Sequence, residues 1–142
     1  MRFDSIASIR YAETAADMEF LGTHDSHASP SVLARKVQAQ EVLVVELEGV
    51  LVGWLRFGLF WDSIPFMNLL YLLDGYRRQG LGTRLVAHWE AAMLEKGYSL
   101  AMTSTLSDEQ AQHFYRALGY RDAGCLMLEG EALEIILTKR LG

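Results

Sequence analysis

The feature that most restricts this chain is a junction. Ile64 to Leu73 (IPFMNLLYLL) holds one proline and one asparagine among apolar and aromatic residues. It runs into Asp74-Gly75-Tyr76-Arg77-Arg78-Gln79-Gly80-Leu81-Gly82, a turn with three glycines. A helical pattern follows from about Leu81 to Lys96, with Leu85, Val86, Trp89, Ala92 and Met93 on one face and Gly97 as its stop. A short apolar run bounded by turn residues predicts a strand buried on both faces. A strand that turns at once into an amphipathic helix has that helix packed on its sheet, which excludes coiled coils and all-helical bundles.

The remaining segments supply partners for that sheet. Residues 5–11 read as a first strand. Thr14 and Asp17 have capping-box spacing and open a helix that Gly22 is expected to end. Ser29 and Pro30 suit the cap and first position of a second helix near 30–40. Glu41 to Leu47 and Val50 to Trp61 are β-branched and aromatic runs around a Glu48-Gly49 hairpin turn. Beyond the central helix come a strand over Leu100 to Thr105 and a capping box at Ser107 and Gln110. The helix this box opens runs to about Leu118, with Ala111, Phe114, Tyr115 and Leu118 on one side and Gly119 at its end. Final strands are expected near 124–128 and 131–139, around a Glu129-Gly130 turn. The fold class is therefore α/β (α+β): a mixed, mostly antiparallel sheet of six to seven strands flanked by four helices, in one domain over residues 1–142.

Composition narrows the function. Thirteen Lys and Arg against 18 Asp and Glu give a net charge of −5, a poor basis for general nucleic-acid binding. The single cysteine, Cys125, excludes a disulfide framework and a cysteine zinc site, and in a strand it reads as a small core residue. No apolar stretch approaches the roughly 18 residues that span a bilayer, and the first residues lack a secretory apolar region. The expectation is a cytoplasmic protein with neither nucleic-acid nor membrane partners.

The glycine-rich turn carries the chemistry. A helix N-terminus offers unpaired N–H groups and the positive end of a dipole, glycines admit close approach, and Arg77 and Arg78 add charge. Those properties make a pyrophosphate cradle. It is not a P-loop, because Leu81 and Gly82 stand where Lys and Ser or Thr are needed. Nor is it a dinucleotide fingerprint, because Leu85 stands in the third glycine position.

What remains is R-x-x-G-x-G at Arg77, Gly80 and Gly82. This resembles the GNAT-type N-acetyltransferase superfamily, which carries [RQ]-x-x-G-x-[GA] between its fourth strand and third helix, and whose element order matches along nearly the whole chain. Asp74 and Gly75 depart from the Pro-acid pair the family often has there. The resemblance implies acetyl-CoA as co-substrate. Its pyrophosphate would lie on the amides from Arg78 to Thr83, and its pantetheine along the strand before the turn. The implied cofactor residues are Leu70, Leu72 and Leu73, then Arg77, Arg78, Gln79, Gly80, Leu81, Gly82 and Thr83.

Ala111 to Tyr120 resembles the family's second signature, A-x-x-F-Y-x-x-x-G-[FY]. Tyr115 sits one step round from the stripe of Ala111, Phe114 and Leu118, where a phenol can face a cleft. The resemblance implies that Tyr115 is the general acid for the departing thiolate. The strand where some members keep a glutamate base has no acid here. Asn68 can orient water only, and His24, Asp25, His27 and Asp62 read as loop residues. His88 and His113 read as polar-face residues without a role.

Trp54, Phe57, Phe60, Trp61 and Phe66, with Asp17, Glu19, Asp25 and Asp62 nearby, suit a small cationic amine as acceptor. The same residues read equally as core aromatics and surface acids. No metal is expected, since the four histidines lack zinc-ligand spacing. The function expected is direct acetyl transfer from acetyl-CoA to a primary amine within a ternary complex. A non-catalytic acyl-CoA-binding or sensing module, or an acetyltransferase for protein N-termini or lysines, stays open. A homodimer through the final strands or the aromatic hairpin is compatible with the pattern.

Overall fold

The computed structural model describes residues 7–142. Among these residues are seven strands and four helices: β1 (Ala7–Tyr11), α1 (Ala15–His24), α2 (Pro30–Gln38), β2 (Val42–Leu47), β3 (Val50–Phe60), β4 (Ile64–Leu72), α3 (Leu81–Glu95), β5 (Leu100–Leu106), α4 (Ala111–Ala117), β6 (Arg121–Leu126) and β7 (Glu134–Arg140). Ser5 and Ile6, expected to begin the first strand, lie outside the described residues. The strands form one mixed sheet in the order β1-β2-β3-β4-β5-β7-β6. β4 and β5 run parallel, as strands joined through a crossover helix do, while β1–β2, β2–β3, β5–β7 and β6–β7 are antiparallel. Two compact units make up the chain, Met1–Phe57 with Leu69–Trp89 and Gly58–Asn68 with Glu90–Gly142.

In the first unit, Val42, Leu43, Val44 and Val45 are all fully buried, so β2 is covered on both faces and needs no polar alternation. Val42 and Val44 pack with Ala12, Leu21, Leu33 and Trp54, while Phe57 meets Trp89 of α3 at 5.8 Å. Glu48 and Gly49 both take positive φ (50° and 83°), as a two-residue hairpin loop requires. The capping box of α1 is present: Thr14 Oγ1 accepts from Asp17 N at 3.1 Å and Asp17 Oδ2 accepts from Thr14 N at 3.0 Å. Ser29 and Pro30 open α2 as expected. Gly22, by contrast, does not end α1, which continues to His24 with Asp25 as its C-cap. A glycine inside a helix costs only about 1 kcal/mol, and the buried Asp25 holds the following turn in place.

Four expectations change in the second unit. β4 is not buried on both faces: Pro65 and Met67 are buried, Ile64 and Phe66 half-buried, and Asn68 exposed. Ser107 and Gln110 form no capping box, since Gln110 is helical in φ and ψ and makes no side-chain cap bond. Glu109 Oε1 instead accepts from Leu106 N, and Gln112 Nε2 donates to the carbonyls of Ser107 and Glu109 at 2.8 Å each. Cys125 is exposed rather than in the core, because β6 is the end strand of the sheet and every residue in it is exposed. The last two strands also lie at 121–126 and 134–140, although the turn at Glu129-Gly130 forms, with Gly130 at φ 78°.

Candidate functional site

The turn belongs to the first unit and its footing is rigid. Leu73 N donates to Val52 O at 2.8 Å, pinning the end of β4 to β3. Gly53 lets the two strands approach, since a Cβ there would meet Leu72 Cδ2, and the Tyr71 carbonyl at 2.8 Å. Tyr76 N closes a turn onto Leu73 O at 3.1 Å. Gly75, Arg78 and Gly80 then take φ of 90°, 62° and 83°, the left-handed region that glycine favours. Such left-handed residues within a turn collect successive N–H groups on one concave side. The first i→i−4 bond of α3 runs from Arg84 N to Gly80 O at 3.1 Å, so the N–H groups of Leu81, Gly82 and Thr83 lie ahead of it. Leu81 and Leu85 are fully buried and anchor the helix start, while Arg77, Arg78, Gln79, Gly80 and Thr83 are exposed and Gly82 half-buried. Leu70, Leu72 and Leu73 are half-buried.

The two arginines differ. Arg77 Nε donates to Leu72 O at 3.0 Å, its Nη1 lies 3.4 Å from Asp74 Oδ1, and its guanidinium stands 4.8 Å above the Tyr71 ring. Arg78 is exposed and holds its left-handed backbone without glycine's freedom, a conformation that costs of order 1 kcal/mol and is met most at working sites.

Tyr115 belongs to the second unit and is not at the edge of its helix stripe. It is the buried residue of α4 at 7% exposure, whereas Ala111 is exposed and Phe114 and Leu118 are half-buried. The short helix is turned so that position 115, not 114, faces the sheet. The hydroxyl lies 3.8 Å from Met67 Sδ, and Thr103 Oγ1 donates to Met67 O at 3.0 Å. Tyr120 packs edge-on at 5.8 Å. Burial pushes the Tyr115 phenol up to about 12, so it is protonated throughout the neutral range. A thioether is a weak acceptor, which leaves that proton little committed.

The acidic residues read from the sequence divide. Asp17 is buried against Arg10 at 2.7 Å, and that guanidinium holds its carboxyl well below the usual carboxylate range. Asp25, expected in a solvated loop, is buried: Oδ2 accepts from Arg56 Nε at 2.9 Å and Trp54 Nε1 at 3.2 Å, and Oδ1 from His27 N at 3.0 Å. Both are structural ion pairs, so the acidic lining expected for an acceptor loses two of its four members. The signal for the Asp25 pair was Arg56, a lone charge in an otherwise apolar strand, which needs a partner once buried. Trp54 and Phe57 are core residues, Trp61 is 78% exposed, and Glu19 and Asp62 are exposed. Neither His24 nor His27 is buried, and the His24 ring rests 4.7 Å from Phe20. Exposure of His88 and His113 fits their polar-face reading. Among the described residues no group of three or more His, Cys, Asp or Glu is placed to hold a metal ion, and no helix is long and apolar enough to cross a membrane.

Comparison with known proteins places these features in a family. The model of the acetyltransferase (GNAT) family matches residues 9–120. Blasticidin-S acetyltransferase from Streptomyces morookaense is 31% identical over 98 residues, 69% of this chain and 71% of the relative. The structure of the ribosomal-protein-S18-alanine N-acetyltransferase from Escherichia coli covers 96% of this chain and 94% of its own, with a TM-score of 0.78 at 17% identity. A GNAT family acetyltransferase from Elizabethkingia anophelis with acetyl-CoA bound covers 97% of this chain and 100% of its own, with a TM-score of 0.73 at 15% identity. At those identities the two structures establish a shared fold.

Proposed function

From the premise that this chain belongs to the acetyltransferase (GNAT) family, we propose that it transfers the acetyl group of acetyl-CoA to the primary amine of a small cationic molecule. Transfer is direct, within a ternary complex, needs no metal, and takes place in the cytoplasm. The observation that carries this reading is the turn: left-handed backbone at Arg78 and Gly80 ahead of the N–H groups of Leu81, Gly82 and Thr83. That backbone suits a pyrophosphate, and a solved relative of the same fold holds acetyl-CoA. The backbone of Leu70, Leu72 and Leu73 takes the pantetheine arm, and Arg78 and Gln79 complete the turn around the phosphates.

In the reaction the amine lone pair attacks the thioester carbonyl carbon. The C–N bond forms, the C–S bond breaks, and its electron pair leaves on sulfur. The nitrogen loses one proton and the sulfur gains one, so thioester and amine become amide and thiol. Tyr115 donates a hydrogen bond to the departing sulfur. Its acidity supports stabilisation more than full transfer: a phenol near 12 gives up its proton to a thiolate of pKa about 8.5 only uphill. Cys125 has no covalent role in this scheme. β4 carries no carboxylate, so a base on that strand has no part in this scheme.

Support for a small acceptor comes from the relative named for blasticidin S. Support for its positive charge rests on the net charge of −5 and on the exposed Glu19 and Asp62. Thiol release from acetyl-CoA across blasticidin S, diamines, polyamines and short peptides tests the proposal, with and without a chelator. Release with a small amine, unaffected by the chelator, is expected. Release with peptides alone would replace the acceptor class. CoA binding without release by any amine would make the protein a binding module.

A further inference from the structure

Arg77 occupies the arginine position of the turn's signature, yet in this fold its side chain is already engaged with the protein. Its Nε donates to the Leu72 carbonyl at the end of β4, its Nη1 faces Asp74, and its guanidinium lies 4.8 Å above the Tyr71 ring. Tyr71 in turn packs on Trp54 at 5.2 Å. Trp54 is immobile: it is 1% exposed, and its indole N–H is held by Asp25, itself fixed by Arg56. A continuous stack therefore leads from a buried ion pair to the first arginine of the turn, all within one compact unit.

We propose that Tyr71 and Arg77 are positioning residues, a brace in which Arg77, clamped on the Tyr71 ring and the Leu72 carbonyl, holds the turn in the shape that receives the pyrophosphate. This deepens the reading of the turn as the acetyl-CoA site and rests on it. The physical reason is preorganisation. The turn carries left-handed backbone at Gly75, Arg78 and Gly80 and has only Tyr76 half-buried between Asp74 and Gly80, so little core packing restrains it. A loop of that kind loses conformational freedom when it binds an anion, and whatever orders it beforehand lowers that cost. A guanidinium over a tyrosine ring contributes about 0.5–1 kcal/mol at an exposed site, which sets the size of the effect. Tyr71 is 41% exposed, more than core packing alone calls for, and its outer face is the one Arg77 covers. Arg78 is exposed and is the arginine presented outward.

The test is a double-mutant cycle on CoA affinity, measured by calorimetry on the full chain with Tyr71→Leu, Arg77→Gln and the double variant, and with Tyr71→Phe as the conservative control. Each disruptive single variant should weaken CoA binding by roughly two- to fivefold. The double variant should be no weaker than the worse single one, and Tyr71→Phe should keep most of the affinity. The melting temperature should hold, because neither residue is in the core. With S-acetylpantetheine, which has no pyrophosphate, each disruptive variant should lose less kcat/KM relative to wild type than it loses with acetyl-CoA.

Additive losses, or an Arg77→Gln loss with Tyr71→Leu unchanged, would make Arg77 a direct phosphate ligand and overturn the brace. Equal losses with S-acetylpantetheine would overturn it as well, by tracing the effect to something other than the turn. If wild type itself fails to bind CoA, the reading of the turn as its site falls, and the brace with it. That outcome is distinct from a wild type that binds and a Tyr71→Leu variant that binds equally well.

Discussion

From Arg78 to Thr83 the groups offered to a ligand are backbone N–H groups on a mostly exposed segment, shaped by left-handed residues. At position 115 the group offered is one phenol hydroxyl on a side chain that is 7% exposed, set against a methionine sulfur. The first proposed site depends on missing side chains: glycine at position 80 permits φ of 83°, and Gly53 behind it permits the strand contact that seats the turn. The second depends on a side chain that is present and enclosed. Backbone sites therefore fail when a Cβ or a charge is added, and enclosed sites fail when an atom is removed or its surroundings are wetted.

The strongest way to break the first half of this comparison is Gly82→Asp. It brings a side chain and a negative charge to the helix start, where the charge repels the phosphate and takes up the positive end of the dipole in its place. CoA affinity should fall more than about 100-fold while circular dichroism stays that of the folded protein. A folded variant with unchanged calorimetric affinity would remove the turn from the site.

Removing one oxygen probes the other half. Tyr115→Phe keeps the ring and its packing, so acetyl-CoA affinity should hold while kcat falls by roughly 10- to 1000-fold, the range for one lost transition-state hydrogen bond or proton donor. The fall should shrink with an acyl donor whose thiol is more acidic. A kcat near wild type would leave Tyr115 as a packing residue.

The smallest effect sharpens the claim of enclosure. The Tyr115 phenol titrates at about 12 in the fold and near 10 when unfolded, so burial favours the protonated form. Below about pH 10 both states are protonated and the full stability is present. As pH rises from about 10 to 12 the unfolded state ionises first and stability is lost, by up to about 2–3 kcal/mol. Denaturant midpoints at either end of that window should therefore drop less for Tyr115→Phe than for wild type. Equal drops would mean that the phenol meets water in the folded protein.

Much of this molecule was legible because its signals are local. The capping box at Thr14 and Asp17, the proline start of α2, the Glu48-Gly49 hairpin and the apolar face of α3 each depend on residues within a few positions of one another, and each formed. The turn was legible for the same reason, since a helix start with glycines needs only its own segment. Where local signals misled, a distant contact had decided the matter. Gly22 lies inside α1 because the chain beyond it is tied by Asp25 to Arg56, 31 residues away. The Ser107 N–H that a capping box would offer to Gln110 bonds instead to Leu133 O at 2.8 Å. Cys125 is exposed because the strand that carries it is last in the sheet, which no pattern within that strand records.

The sequence alone settled the order of elements, the family resemblance, and the backbone chemistry of the turn, because helix starts, glycine φ values and strand alternation are properties of neighbouring residues. Tertiary structure decided which charges are available. Asp17 and Asp25 looked like acceptor contacts and are ion-paired with Arg10 and Arg56, the Arg77 side chain lies on Tyr71 and Leu72 O, and Tyr115 looked like an edge residue and is enclosed. The physical reason is common to all of them. A charge or a polar hydrogen has the same identity wherever it sits, but its partners and its exposure come from strands and helices that meet only when the chain folds.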